Sequence, residues 1–203
     1  MHSESPQRGR LAILAGPSCV GKSPLCKALK RLYPALAAGL QPVVLYNSRA
    51  SRPGEEDGVD YHFRQRDEIE ALRDNEQYVV LDVRGDLQAL DLNELDGVLQ
   101  AGDAFFEGNP FVGRILQTSP KLAGINRLSI FMAPLSRAEI LFLRDQKGLS
   151  LPDLVADIMR RKLLRRMRKQ RGELSGPDLE EVERRAGSAY RELCMAADFG
   201  CVI

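Results

Sequence analysis

The chain has 203 residues, 44% of them apolar and 28% charged, with a net charge of +1, which suits one soluble globular domain with a sizeable core and a small appended lid. That balance excludes a partner chosen by whole-molecule charge, so any preference for anions must come from local clusters. No apolar run reaches transmembrane length, and Cys19, Cys26, Cys194 and Cys201 lack zinc-ligand spacing, so reduced cysteines in a cytoplasmic protein are expected.

In chain order, Met1–Arg10 is polar and no apolar export signal follows it. Leu11–Ala15 is wholly apolar and stops at Gly16, the pattern of a strand covered on both faces. Beyond a Gly-rich turn, Leu25, Ala28, Leu29 and Leu32 share one helix face, with Pro24 tolerated in the first turn. Val43–Tyr46 reads as a second strand. The charged stretch from Asn47 to Asp60, with Pro53, Gly54 and Gly58 as breakers, reads as an excursion from the sheet. Asp67–Asp74 predicts a short helix burying Ile69 and Leu72, Tyr78–Val83 a strand, and Asn93–Gln100 a short helix.

Ala104–Phe106 is a further apolar run ending at Glu107, and Leu128–Met132 another strand. Ser136 and Glu139 match a capping box that starts a helix with Ile140, Leu141 and Leu143. Two charged helices are expected over Pro152–Arg171 and Pro177–Ala197, separated by Gly172–Gly176, and Phe199–Ile203 is a last strand. Strands alternating with helices predict an α/β fold with a mostly parallel sheet.

Gly16-Pro17-Ser18-Cys19-Val20-Gly21-Lys22-Ser23 is a complete phosphate-binding P-loop between a buried strand and an amphipathic helix. The glycines let backbone N–H groups curl round phosphate oxygens. Lys22 reaches the β- and γ-phosphates, Ser23 offers a hydroxyl to Mg²⁺, and the helix N-terminus adds a positive end. A nucleoside triphosphate is thereby the expected ligand. Glu107 is a candidate second carboxylate near the metal. A separate anion site is read from Arg49, Arg52 and Tyr61: two arginines three apart can fork onto one phosphate, and the phenol adds a donor.

These two stretches together resemble the guanylate kinase family. Its P-loop reads G-P-S-x-x-G-K-S, and its second motif, T-T-R-x-P-R-x-G-E-x-x-G-x-D-Y-x-F, is nearly all present at Ser48–Phe63. Phe131–Ser136 resembles the strand-to-helix junction F-I-A-P-P-S, Arg171-Gly172 the start of the ATP lid, and Arg185 the second lid arginine. The resemblance implies a P-loop kinase fold over 1–203 with its core in 8–40, 100–145 and 186–203. An acceptor-binding subdomain would span about 41–99, and a helical lid with an insertion about 146–185. It implies that Lys22 and Ser23 hold ATP and Mg²⁺, that Arg49, Arg52 and Tyr61 grip the acceptor's phosphate, and that Arg171 and Arg185 close over the transferring group. The reaction implied first is ATP with GMP giving ADP and GDP. A non-catalytic protein-binding module of the same fold and a kinase of another phosphorylated acceptor stay open, although the P-loop lysine favours an enzyme. No membrane or nucleic-acid partner is expected.

The base-reading part departs from the family. Leu45 stands for a small hydroxyl residue, Val80 for the glutamate of an F-I-E-W-like strand, Gln88-Ala89-Leu90-Asp91 for Y-Y-G-S, and Asn47 for the first threonine of T-T-R. The D-x-D near the metal reads Glu107-Gly108-Asn109. Asp82, Asp86 and Asp91 are candidate substitutes through a shifted register. Asp145–Leu164 is extra, and Arg160–Arg171 carries eight basic residues in twelve. That run reads as a solvated helix with Ile158, Leu163 and Met167 inward and with Asp178, Glu180, Glu181 and Glu183 as counter-charges. Its alternatives are an RNA-binding helix and an enlarged phosphate clamp. His62 is read as structural and Cys19 as packing. The family continues beyond its last strand into a further helix, for which no sequence follows Ile203.

Overall fold

In the computed structural model, which describes residues 8–52 and 54–203, the run Leu11–Ala15 is strand β1. Leu11, Ile13, Leu14 and Ala15 are each at most 4% exposed, as a doubly covered strand requires. The phosphate-loop segment leads into α1 (Lys22–Leu32), α2 (Pro34–Ala38) and β2 (Leu40–Pro42). Strands β3 (Tyr46–Asn47) and β4 (His62–Phe63) bracket the charged excursion, in which Pro53, expected as a breaker, lies outside the described residues, as do residues 1–7 of the polar start. Next come α3 (Arg66–Glu70), a 3-10 turn at Ala71–Asp74, and the hairpin β5 (Tyr78–Val83) and β6 (Asp86–Asp91). The chain then runs α4 (Leu92–Ala101), β7 (Asp103–Gly108), α5 (Pro110–Thr118), β8 (Arg127–Phe131), α6 (Arg137–Arg144), α7 (Leu151–Arg171), α8 (Gly176–Cys194) and β9 (Cys201–Val202).

One sheet has the order β2-β7-β1-β8-β9, with β2 parallel to β7 and β8 parallel to β9. The other has the order β4-β3-β6-β5. This is the mixed α/β fold, with a mostly parallel central sheet and flanking helices, that the strand–helix alternation predicts. The chain divides into two compact units. Cys26–Glu107, Thr118–Leu128 and the described residues up to Ile13 form the first; Leu14–Leu25, Gly108–Gln117 and Ser129–Ile203 form the second. The first contains the four-stranded sheet, whose core is Ile69, Leu87 and Ala89 with Tyr46, Leu72, Tyr78 and Val80 against them. The second contains the α7–α8 hairpin, closed round Leu163, Met167, Val182 and Ala186.

Several expectations need correction. Val43–Tyr46 is not one strand. Val43 still donates its N–H to the Phe105 carbonyl (2.9 Å), but the chain leaves the first sheet there and enters the second at Tyr46. This apolar run changes sheets with Leu45 buried and Val43, Val44 and Tyr46 half-buried. Helix α1 forms as expected yet buries no residue: Leu25 is 40% and Leu32 61% exposed. Periodicity fixes which face is apolar, not whether a neighbour covers it. Five of the named elements were not foreseen: α2, β2, β4, α5 and β6. The last pairs antiparallel with β5 through Arg84 and Gly85, both at positive φ (59° and 90°), an unusual conformation for arginine. In α7 the inward row is Val155, Met159, Leu163 and Met167, so Ile158 is only half-buried. The Ser136–Glu139 capping box is present in both directions.

Helix α5 packs close to the end of β1. A Cβ on Gly113 would lie 2.8 Å from the Ala15 Cβ and 3.0 Å from Cζ of Phe199. Gly97 in α4 has nothing within 4 Å of such a position. Gly113→Ala should therefore destabilise by about 1–3 kcal/mol through overpacking. Gly97→Ala should stabilise by about 0.4–1 kcal/mol through lost chain entropy in the unfolded state. Urea midpoints should move in opposite directions; a shared sign would contradict the packing at Ala15.

Candidate active site

The P-loop conformation follows from two constraints. Gly16 is needed for room, since a Cβ there would sit 2.4 Å from the Met132 carbonyl oxygen, and Met132 in turn donates its N–H to Ala15 (2.8 Å). Cys19 and Gly21 adopt positive φ (60° and 117°), which lets the turn close around a concavity. Pro17 is buried, and Ser18, Cys19 and Val20 are half-buried. Lys22 opens α1 and folds back: its Nζ donates to the carbonyls of Gly16 (2.7 Å) and Pro17 (2.8 Å). Ser23 follows on the exposed first turn. The Cys19 side chain packs against the α7–α8 core, as expected, and its Sγ accepts from Arg166 Nη1 at 3.9 Å.

The lid arginines belong to that same hairpin. Arg171 ends α7 and pairs with Asp178. Asp178 also serves the α8 N-terminus. The Ser175 N–H, the Ser175 hydroxyl and then Arg171 hold its carboxyl below the usual range. Arg185 pairs one turn back with Glu181 (2.7 Å). Of the expected counter-charges, Asp178 and Glu183 meet the basic run, Glu183 through Arg160 (2.7 Å), while Glu181 serves Arg185.

Arg49, Arg52 and Tyr61 are brought together around a residue to which the sequence reading gave no role, Glu55. Arg49 donates to both its oxygens (2.6 and 2.7 Å), the Arg52 N–H donates to it at 2.8 Å, and the Arg52 guanidinium lies 3.6 Å away. Burial pushes the Glu55 carboxyl up, but the Arg49 hydrogen bonds, the Arg52 N–H and both cations outweigh it and hold the pKa below the ordinary value. The Arg49 guanidinium also lies over Tyr61 and Phe63, at 5.1 and 5.4 Å from the ring centroids. Burial pushes the Tyr61 phenol up against the pull of Arg49 and Arg52. A carboxylate six residues beyond an arginine, in a glycine turn, was the available signal for Glu55.

His62 packs on Tyr46 with tilted rings (centroids 4.8 Å apart), and its Nε2 lies 3.4 Å from Glu94. Leu45 is 2% exposed, and Val80 is half-buried against the Ile69, Leu87 and Ala89 cluster, so both departures from the family are apolar. Asp82 accepts the Gly85 N–H in the hairpin turn (2.9 Å). Asp91 caps α4 through Asn93 and Glu94 (2.8 and 3.2 Å) and bonds Tyr78, whose phenol burial and Asp91 together push up to about 12. Two of the three substitute carboxylates thus hold local structure. Asp86 is half-buried in β6, and Glu107 is exposed in β7. Asn109 accepts the Val112 N–H (3.0 Å) at the start of α5.

The guanylate kinase family model matches residues 8–86. A guanylate kinase of Alkalilimnicola ehrlichii is 32% identical over 149 residues, 72% of this chain and 70% of that protein. One of Pseudoalteromonas translucida is 30% identical over 158 residues, 75% and 71% of the two chains. One of Rhodococcus jostii reaches 44% over 66 residues, only 32% of this chain and 30% of that protein. The crystal structure of guanylate kinase from Anaplasma phagocytophilum shares the fold, with a TM-score of 0.56 at 18% identity over 97% of this chain and 77% of that one.

The lowered Glu55 pKa gives a pH test. Its ionised form stabilises the Arg49–Arg52 loop fully above the ordinary value of 4.5, and that stabilisation disappears as pH falls through the lowered folded-state value. The melting midpoint of the parent should exceed that of Glu55→Gln at pH 7, and the gap should close in acid. A gap unchanged at low pH would show that the Glu55 charge does not hold the loop.

Proposed function

This chain belongs to the guanylate kinase family, and on that premise we propose that it transfers the γ-phosphoryl group of ATP to GMP, giving ADP and GDP in the cytoplasm. The observation that carries the reading is the presence of two distinct phosphate-type sites in one chain. One is the Gly16–Ser23 loop with Lys22 folded over it. The other is the Arg49–Arg52–Tyr61 group held on a carboxylate. No described helix is long and apolar enough to cross a membrane.

An oxygen of the acceptor's phosphate attacks the γ-phosphorus, the bond to the bridging oxygen breaks, and its electron pair leaves with ADP. The acceptor is already ionised, so no general base is required; placement and spread positive charge do the catalysis. Arg49 and Arg52 exchange Glu55 for the acceptor's phosphate, with Tyr61 as a third donor. Lys22 exchanges two carbonyls for the donor's phosphates. Arg171 and Arg185 supply lid charge.

Mg²⁺ suits a hard oxygen ligand such as the Ser23 hydroxyl, with phosphate oxygens and water completing its shell. When bound it neutralises charge on the β- and γ-phosphates. With apolar Leu45 buried and apolar Val80 half-buried, the acceptor's phosphate contributes more to binding than its base edge.

ADP release from Mg-ATP with a panel of monophosphates tests the reading; no turnover with any acceptor would overturn it. Lys22→Ala should lower kcat by about 10²–10³-fold. Arg49→Ala should raise the acceptor KM about 10–100-fold, as loss of a charged hydrogen bond does, while ATP binding changes less than about twofold. Equal weakening of both ligands would contradict two separate sites.

A further inference from the structure

The β5–β6 turn breaks a local rule. Arg84 and Gly85 fill its two central positions at positive φ, 59° and 90°. Asn-Gly is the ordinary choice there, because a Cβ in the left-handed region crowds the backbone. Arginine therefore costs stability at this position, and such a conformation persists where surrounding groups enforce it. They do so here. The Gly85 N–H donates to Asp82 (2.9 Å), Arg66 donates to the Gly85 carbonyl (2.8 Å), and Arg66 lies 3.8 Å from Asp82. None of these contacts uses the Arg84 side chain, so the turn itself does not call for arginine.

The turn is also placed beside the Arg49–Arg52–Tyr61 group. Ser48 donates its N–H to the Leu87 carbonyl (2.9 Å), and its hydroxyl accepts the Leu87 N–H (2.8 Å). The β3–β6 ladder, which pairs Asn47 with Gln88, thus runs one residue further, and Arg49 leaves it next to Asp86 and the turn. Arg84 is half-buried. Its charge reaches the Tyr61 phenol: burial and then Glu55 push that group up, while Arg49, Arg52 and Arg84 pull it the other way. Three guanidinium groups from separate parts of the chain act on one phenol, all within the first compact unit.

We propose that Arg84 is a third guanidinium of the acceptor's phosphate site, donating to the same phosphate as Arg49, Arg52 and Tyr61. The inference rests on reading that group as the phosphate grip. A phosphate monoester offers three strong acceptor oxygens, onto which a guanidinium forks bidentately. The Arg84 backbone is held by the braced turn and not by the Glu55 loop, so its donors arrive from a second, independent support. The strained turn gives up stability for a cation placed at the ligand, which is why arginine stands where asparagine or glycine would fold better. Acceptor affinity then resides in the phosphate.

The test compares Arg84→Gly, Arg84→Lys and Arg31→Ala in the full chain. Arg31 is an exposed cation of α1 in the same unit. Equilibrium binding of GMP, of guanosine and of the β,γ-imido analogue of ATP is measured for each, together with the melting midpoint. Arg84→Gly should weaken GMP about 10–100-fold, as loss of a charged hydrogen bond does, and should leave guanosine and the ATP analogue within about twofold of the parent. Its melting midpoint should equal or exceed the parent's, because glycine takes positive φ without crowding. Arg84→Lys should recover part of the GMP affinity, and Arg31→Ala should stay within about twofold throughout. Unchanged GMP affinity in Arg84→Gly, equal weakening of GMP and guanosine, or a melting midpoint well below the parent's would overturn the proposal. Failure of the parent itself to bind GMP would instead remove the acceptor-site reading, and the role of Arg84 with it.

Discussion

Cations brought close together repel one another, and the arginines and lysine of the candidate site rest on internal acceptors. Glu55 holds Arg49 and Arg52, the carbonyls of Gly16 and Pro17 hold Lys22, Asp178 holds Arg171, and Glu181 holds Arg185. Glu55 matters most among these because it binds two arginines at once and keeps its carboxyl ionised against burial. On the proposed function, a phosphorylated ligand would exchange one anion for another there.

The Gly16–Ser23 loop is set by close backbone packing. Gly16 passes against the Met132 carbonyl, and Gly113 of α5 lies against Ala15, the last residue before the loop. Cys19 then ties the loop to the α7–α8 core. The loop is held by its ends and by one side chain, which leaves its N–H groups for a ligand. The long basic run of α7 is partly neutralised by Asp157, Asp178 and Glu183, so the solvated-helix reading accounts for Arg160, Arg161 and Arg171.

Local chemistry was legible in the sequence where one segment decides it. The strand at Leu11–Ala15, the Gly16–Ser23 turn, the Ser136–Glu139 cap and the two long helices each depend on neighbours a few residues away. What was missed depends on distant partners. Val43–Tyr46 passes from one sheet to the other with only Leu45 buried, which an apolar run does not distinguish from a strand. The β5–β6 hairpin turns on an arginine at positive φ, without the usual Asn-Gly signal. The face of α1 is apolar in pattern but uncovered at Leu25 and Leu32. In the candidate site, Arg49, Arg52 and Tyr61 were legible as an anion group, but the carboxylate that organises them was read only as part of a motif. The Arg166–Cys19 contact spans 147 residues and no local pattern marks it.

The central claim is that one chain presents a triphosphate loop and a separate monophosphate grip for the same transferred group. Two nucleosides joined through a chain of five phosphates, adenosine at one end and guanosine at the other, test it most directly. Such a compound should inhibit competitively against both ATP and GMP and bind more tightly than either nucleotide alone. Competition with ATP only, at the affinity of ATP, would contradict the account.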